Sequence, residues 1–136
     1  MIVADASVAL KWFKDEAGSD AARALLLREP LVAPELILPE VLNAGWKSVR
    51  LGLMVPAQLD AMALELTPCF ARLAGLAPLA ASAARTALEI DHPVYDCFYL
   101  ALAELESAPL VTADARLVAK TRGTRWAQQV VMLGAT

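Results

Sequence analysis

Asp96 is a carboxylate without a polar face. It lies in H-P-V-Y-D-C-F-Y-L-A-L-A-E, residues 92–104, where Val94, Cys97, Phe98, Ala101, Leu102 and Leu105 recur at the spacing of one apolar helix face. The residues on its own side, Tyr99, Leu100 and Ala103, are no more polar. The pattern predicts a helix buried nearly all round, with Pro93 in its first turn. A carboxylate inside such a helix must be neutral, hydrogen-bonded or facing a cation, since burying it unpaired costs on the order of several kcal/mol.

Three further acids are candidates to share that cation. Asp5 follows the apolar run Ile2-Val3-Ala4, and Asp114 follows Leu110-Val111-Thr112, so each stands just past a predicted buried strand. Glu40 lies next to Pro39 near the start of a predicted helix. Taken singly, Asp5 and Asp114 read as helix caps and Glu40 as a solvated helix acid. Taken together, four crowded carboxylates would repel and raise one another's pKa values. A hard divalent cation, Mg²⁺ or Mn²⁺, removes that conflict and keeps positions open for phosphate oxygens.

Short apolar runs alternate with helical patterns along the chain. Strands are expected at 1–4, 31–33, 110–112 and 130–133, with 69–76 either a strand or a turn. Helices are expected at 8–14, from Ser19 as N-cap onward, at 36–51, from Pro56 to Pro68, at 78–90, through the Asp96 segment, and at 115–122. This alternation implies a parallel α/β sheet, whose ligand site lies at the carboxyl ends of the strands. No repeat, low-complexity tract or linker divides the 136 residues, so one domain is expected.

Composition narrows the classes. Apolar residues make up 58% of the chain, and mean hydropathy is +0.50, which calls for a large core or an apolar surface meeting a partner. No apolar run reaches the roughly 20 residues of a membrane span. A signal peptide is not expected, because the N-terminus has no basic region and Asp5 interrupts its apolar run. Cys69 and Cys97 form no C-x-x-C, so a reduced, cytoplasmic protein is expected. A net charge of −3 argues against nucleic-acid binding by bulk charge, though not by a local patch.

Four pieces of the chain, I-V-A-D-A-S at 2–7, L-P-E-V-L-N-A at 38–44, H-P-V-Y-D-C-F-Y-L-A-L-A at 92–103 and L-V-T-A-D-A-R-L at 110–117, resemble PIN-domain ribonucleases, in particular the VapC-type toxins of toxin–antitoxin pairs. They stand in the family's order over nearly the whole chain. The resemblance implies a single PIN domain over 1–136, built as a three-layer α/β/α sandwich with a central parallel sheet. It also implies an acidic pocket holding Mg²⁺ or Mn²⁺ that hydrolyses RNA. By motif position Asp5, Glu40, Asp96 and Asp114 match the family's acidic site, Asp114 being its most variable member. Ser7, Thr112 and Asn43 match supporting polar positions. A cognate antitoxin and a homodimer are implied as protein partners, with the helices from Leu36 to Leu66 as the candidate apolar surface.

RNA must still approach an acidic pocket. Arg116 and Lys120 lie in a C-terminal stretch without Asp or Glu, and Lys11 and Lys47 lie in helices next to the site acids. These are the candidate phosphate contacts, although cations near helix ends also complement the dipole. Trp12, Trp46 and Trp126 could stack on bases, with packing the plainer expectation. His92, the single histidine, precedes a proline outside the acidic motifs and reads as structural rather than as a general base. The rival readings are an aspartate-phosphorylating phosphatase or receiver domain and a PIN-like binding module with an inert site. The phosphatase pattern wants an acid where Ser7 stands, a receiver wants an acidic pair after the first strand, and four intact acids argue against an inert site.

Overall fold

A computed structural model describes residues 1–135. Five short strands form one all-parallel sheet in the order β3-β2-β1-β4-β5: β1 (Ile2–Ala4), β2 (Leu31–Pro34), β3 (Arg72–Ala74), β4 (Leu110–Thr112) and β5 (Val130–Met132). Val3 is in register with Val32 on one side and Leu110 on the other. The β-branched and aliphatic residues of β1, β2 and β4 are buried, as a sheet covered on both faces requires.

The helices are α1 (Ala6–Leu10), α2 (Ser19–Arg28), α3 (Ile37–Arg50), α4 (Pro56–Glu65), α5 (Ala80–Ile90), α6 (Val94–Glu106) and α7 (Ala115–Thr121). Parallel strands require crossovers, and right-handed ones carry α1–α4 over one face and α5–α7 over the other. From β1 the chain steps outward through β2 to β3, then returns past β1 to β4. The order therefore reverses between β1 and β4, and a crevice opens there at the carboxyl ends of the strands.

Two contacts set the framework of that crevice. In α6, Cys97 and Tyr99 through Ala103 are buried, and the helix packs against β1, β2 and β4. Fully burying a side chain such as Leu100 or Leu102 is worth about 1.5–3 kcal/mol. On the other face α3 crosses α4 closely at Gly45. A Cβ there would come 2.9 Å from Leu59 Cδ1 and 3.0 Å from Met62 Cε, so the approach depends on a residue without a side chain.

Several local expectations are corrected. The first helix spans Ala6–Leu10 rather than 8–14, because Asp5 caps it through its own side chain, earlier than the apolar pattern suggested. Ser19 is the first residue of α2, not its cap. That place belongs to Gly18, at φ 89, while the Ser19 hydroxyl donates to Lys14 O and accepts from Glu16 N. Pro78 lies in a 3₁₀ turn, Ala77–Leu79, ahead of α5. Residues 72–74 of the ambiguous stretch are the edge strand β3. Leu105, expected on the buried face of α6, is 67% exposed. Among the described residues no helix is long and apolar enough to cross a membrane.

Candidate active site

Asp5 leaves β1 at the switch point, its amide bonded to Val111 O of the neighbouring β4. The carboxylate is buried, at 4% exposure. Its Oδ1 accepts from Ser7 Oγ at 2.5 Å and from the Val8 amide at 3.2 Å. Ser7 is shared between strand ends, since its Oγ also accepts from Ala113 N at 2.8 Å and lies 3.3 Å from Thr112 Oγ1. Thr112 Oγ1 in turn accepts from Asp114 N at 3.0 Å. A chain of short polar side chains thus ties the ends of β1 and β4 together.

Glu40 arrives from α3 on one face of the sheet and Tyr99 from α6 on the other. The Tyr99 hydroxyl donates to Glu40 Oε1 at 2.6 Å, so the two helices meet over the strand ends. Asp96 stands one turn before Tyr99 on α6. Its Oδ2 lies 2.6 Å from Nε2 of His92. The sequence pattern placed Asp96 inside the core, but its side chain is 30% exposed, in a first turn of α6 where no residue from Val94 to Asp96 is fully buried.

The acids act on one another. Burial pushes the Asp5 carboxyl up to about 6, with the Asp96 charge adding to the rise. The Ser7 and Thr112 hydroxyls and the Val8 amide offset part of it. Burial also raises Glu40; the Tyr99 hydrogen bond opposes this and the Asp96 charge adds to it. Burial, then the Glu40 charge and hydrogen bond, push the Tyr99 phenol far above its ordinary range, so it stays a neutral donor. Cys97, one residue after Asp96, is pushed up to about 11 by burial and by the Asp96 charge, and stays a thiol.

Asp5, Glu40 and Asp96 therefore form an electrostatically coupled trio. Asp114 lies further along the β4 end as the N-cap of α7, where its Oδ1 accepts from the Arg116 amide at 2.9 Å. None of the shifts at Asp5, Glu40 or Tyr99 traces to it. In each of the four carboxylates one oxygen is held by a protein donor; at Glu40, Asp96 and Asp114 the other accepts no hydrogen bond among the described residues, whereas the Thr112 hydroxyl also acts on Asp5. These unengaged oxygens are the groups that could hold a hard cation. The side chains are turned toward their own donors, and among the described residues no three Asp, Glu, His or Cys side chains close on one point as a finished cage.

The remaining candidates lie around this centre. Asn43 and Lys47 are exposed further along α3 from Glu40. Arg116 is exposed, with Nε 3.5 Å from Asp114 Oδ1, and Lys120 is exposed in the last turn of α7. Lys11 is turned elsewhere: its Nζ binds Glu16 Oε1 at 3.2 Å and Ala17 O at 2.8 Å, which engages two of its three donors on the loop before α2. Trp12 and Trp126 are core residues, whereas Trp46 is 46% exposed. Sequence reasoning set His92 aside and left Tyr99 among the apolar positions. The i, i+4 spacing of His92 to Asp96 and the i, i+3 spacing of Asp96 to Tyr99 are the signals that connect them.

The family model described as PIN domain matches residues 2–123. Ribonuclease VapC3 of Pyrobaculum aerophilum is 34% identical over 122 residues, covering 88% of this chain and 93% of the relative. A crystal structure of a protein from the same organism superposes with a TM-score of 0.72 at 27% identity, over 97% of this chain and 88% of that one. A toxin–antitoxin complex from Klebsiella pneumoniae shares the fold with a TM-score of 0.72 at 17% identity, over 96% of both chains. Mycobacterium tuberculosis VapC20, described as a sarcin-ricin loop cleaving toxin, shares it at 0.67 and 18% identity, over 88% of this chain and 94% of that one. With its acids gathered at the switch point of a five-stranded parallel sheet, the chain belongs to the PIN-domain family, in its VapC branch.

Proposed function

We propose that this protein is a Mg²⁺- or Mn²⁺-dependent endoribonuclease, the toxin of a toxin–antitoxin pair, restrained by a cognate antitoxin. The observation that carries the reading is the trio Asp5, Glu40 and Asp96, each with one oxygen fastened by a protein donor and coupled through the Asp96 charge. Uncompensated negative charge in a partly desolvated crevice is costly, and the donor set is oxygen only. Both features fit a hard divalent cation. Asp5, Glu40 and Asp96 would hold it, with Asp114 the next acid along the strand end. When bound, such a cation acidifies water for attack on phosphorus and offsets charge on the leaving oxygen.

The chain's own residues supply the positioning. Ser7 fixes Asp5 and joins the two strand ends, so the first acid cannot drift from β4. Tyr99 fixes Glu40 across the top of the sheet. Arg116 and Lys120, exposed on α7, are suited to contact phosphates of the RNA backbone. The exposed apolar residues Trp46, Leu51, Leu53, Val55 and Leu64 follow one another through α3, the turn after it and α4. They supply an apolar surface suited to a second copy of the chain and to the antitoxin.

The test is RNA cleavage by the purified chain with Mg²⁺, with EDTA, and with the Asp96→Asn variant. Cleavage that requires the metal and disappears with the substitution is the expected result. Cleavage undiminished in EDTA would remove the metal mechanism. A small reading frame beside this one, whose product binds the chain and stops cleavage, is the expected antitoxin.

A further inference from the structure

Building on the nuclease reading above, we propose that His92 is a positioning residue for the metal site, fastening one oxygen of Asp96 so that the other is presented to a divalent cation shared with Asp5 and Glu40. The contact is short, 2.6 Å from Nε2 to Oδ2, with the two side chains only 14% and 30% exposed. The imidazole makes no other hydrogen bond among the described residues, so it serves Asp96 alone. Its place is set before the side chain acts. Asp91 ends α5 in the left-handed region at φ 53, a conformation that Asp tolerates better than most residues, and the His92 amide then closes back on Ala87 O at 3.1 Å. Pro93, at φ −53, turns the chain directly into α6. His92 is thus held between a helix terminator and a proline, one turn from the carboxylate it meets.

The kind of donor is the second argument. Each acid of the trio is held by a group that need carry no charge: a hydroxyl at Asp5, a phenol at Glu40 and an imidazole at Asp96. At the far end of the same helix, Glu104 and Glu106 are instead paired with the guanidinium groups of Arg125 and Arg72. A guanidinium is always charged, and beside Asp96 it would cancel the attraction for a metal ion. An imidazole offers a single N–H in this contact and so engages one oxygen, where a guanidinium fork would engage both. Partners of this kind behind metal-binding carboxylates are typically worth about 10- to 100-fold in metal affinity.

His92 is the only histidine in the chain, so its imidazole signals can be assigned without a variant. In the isotopically labelled, metal-free protein at constant neutral pH, Nε2 should carry a hydrogen bonded to Asp96. Titration with Mg²⁺ should shift the ring signals to saturation, and Asp96→Asn should abolish that shift. By calorimetry, His92→Ala should weaken Mn²⁺ binding about 10- to 100-fold, and His92→Gln, which retains an N–H donor, should recover most of it. The metal-free melting temperatures of both variants should stay close to that of the wild type. Ring signals indifferent to Mg²⁺ would overturn the proposal, whatever the variants do. So would Mn²⁺ binding by His92→Ala that is as tight as wild type or tighter, and in that case the metal site itself would stand. Wild-type protein that binds no Mn²⁺ would instead overturn the metal reading, and the role of His92 with it.

Discussion

The two ends of α6 treat acidic residues in opposite ways. At the C-terminal end, Glu104 pairs with Arg125 and Glu106 with Arg72. Acids in a last turn oppose the helix dipole, and the arginines offset that. Arg125 also reaches Glu89 at 3.2 Å and lies 3.8 Å over the ring of Trp126, so its charge is anchored in the fold. At the N-terminal end, Asp96 faces two other carboxylates, and neither lysine nor arginine pairs with any member of that trio among the described residues. One helix therefore carries, eight to ten residues apart, a cluster neutralised by arginines and one without them. The first looks after stability. The second holds back charge that a metal ion can use.

The sharpest break in that contrast is Asp96→Asn. Removing one carboxylate from the trio should lower Mg²⁺-dependent RNA cleavage by about 10²–10³-fold or more, on the scale seen when a preorganised electrostatic group is removed from an active site. Circular dichroism should show an unchanged fold. Full activity in the variant would sink the site assignment.

Next in size is a pH effect on the metal-free protein. The Asp5 carboxyl lies at about 6 in the fold against an ordinary 3.8, so between these values the folded state binds its proton more tightly than the unfolded chain does. Asp5's contribution to stability is fully present below about pH 4 and is lost as pH rises through about 6, by on the order of 1–3 kcal/mol. Glu40, also raised, acts in the same direction. Denaturant unfolding of wild type and Asp5→Asn from pH 4 to 7 isolates the contribution. The stability of wild type minus variant should fall across that window, and saturating Mg²⁺ should remove the fall. A difference that rises with pH would contradict the buried, repelled state of Asp5.

The two ends should also respond with opposite signs when a charge is removed. Asp96→Asn relieves repulsion and should raise the metal-free melting temperature by a few degrees, about 1 kcal/mol for a domain of this size. Arg125→Ala strands two carboxylates and bares Trp126, and should lower it by a similar amount, at the upper end for an exposed pair because the stacking is lost as well. Melting temperatures that move in the same direction would mean that the acids of the two ends are not differently compensated.

The alternation of short β-branched runs with apolar-periodic segments was enough to read the parallel sheet and nearly every helix, because each strand is buried on both faces and each helix packs along one stripe. Asp96 could be singled out for the same reason: no polar face explains it. The misplaced details are local. Asp5 caps α1 through its side chain, as one reading of it allowed, but starts the helix earlier than hydrophobic spacing indicated, and Gly18 opens α2 by backbone geometry that such spacing does not carry. Edge strand β3, with Arg72 exposed, lacks the fully buried signature of its neighbours. Within the site, the acids were legible as residue types, whereas their fastening was not. Tyr99 reads as one more apolar position until its hydroxyl meets Glu40, and His92 reads as a loop residue until the turn at Asp91 swings it onto Asp96. Asp114 is the reverse case. Its motif grouped it with the other acids, but taken singly it read as a helix cap, and the fold makes it the N-cap of α7; none of the shifts at Asp5, Glu40 or Tyr99 traces to it.

The smallest expected effect concerns how RNA reaches so acidic a crevice. Arg116 is 92% exposed, its nearest acid being Asp114 at 3.5 Å, and Lys120 is exposed in the last turn of α7. Neither supports the core, so Arg116→Ala with Lys120→Ala should leave the melting temperature almost unchanged. If both side chains neutralise phosphates of a single-stranded substrate, the double variant releases about two fewer counterions on binding. The plot of log K against log salt should then be shallower by about 1.4. Lys11 offers the internal comparison, because its amino group is already committed to Glu16 and Ala17. Lys11→Ala should leave the salt slope where it is. An unchanged slope in the α7 double variant would assign those cations to the helix end alone and move the path of the RNA to the exposed face of α3, where Lys47 and Trp46 stand.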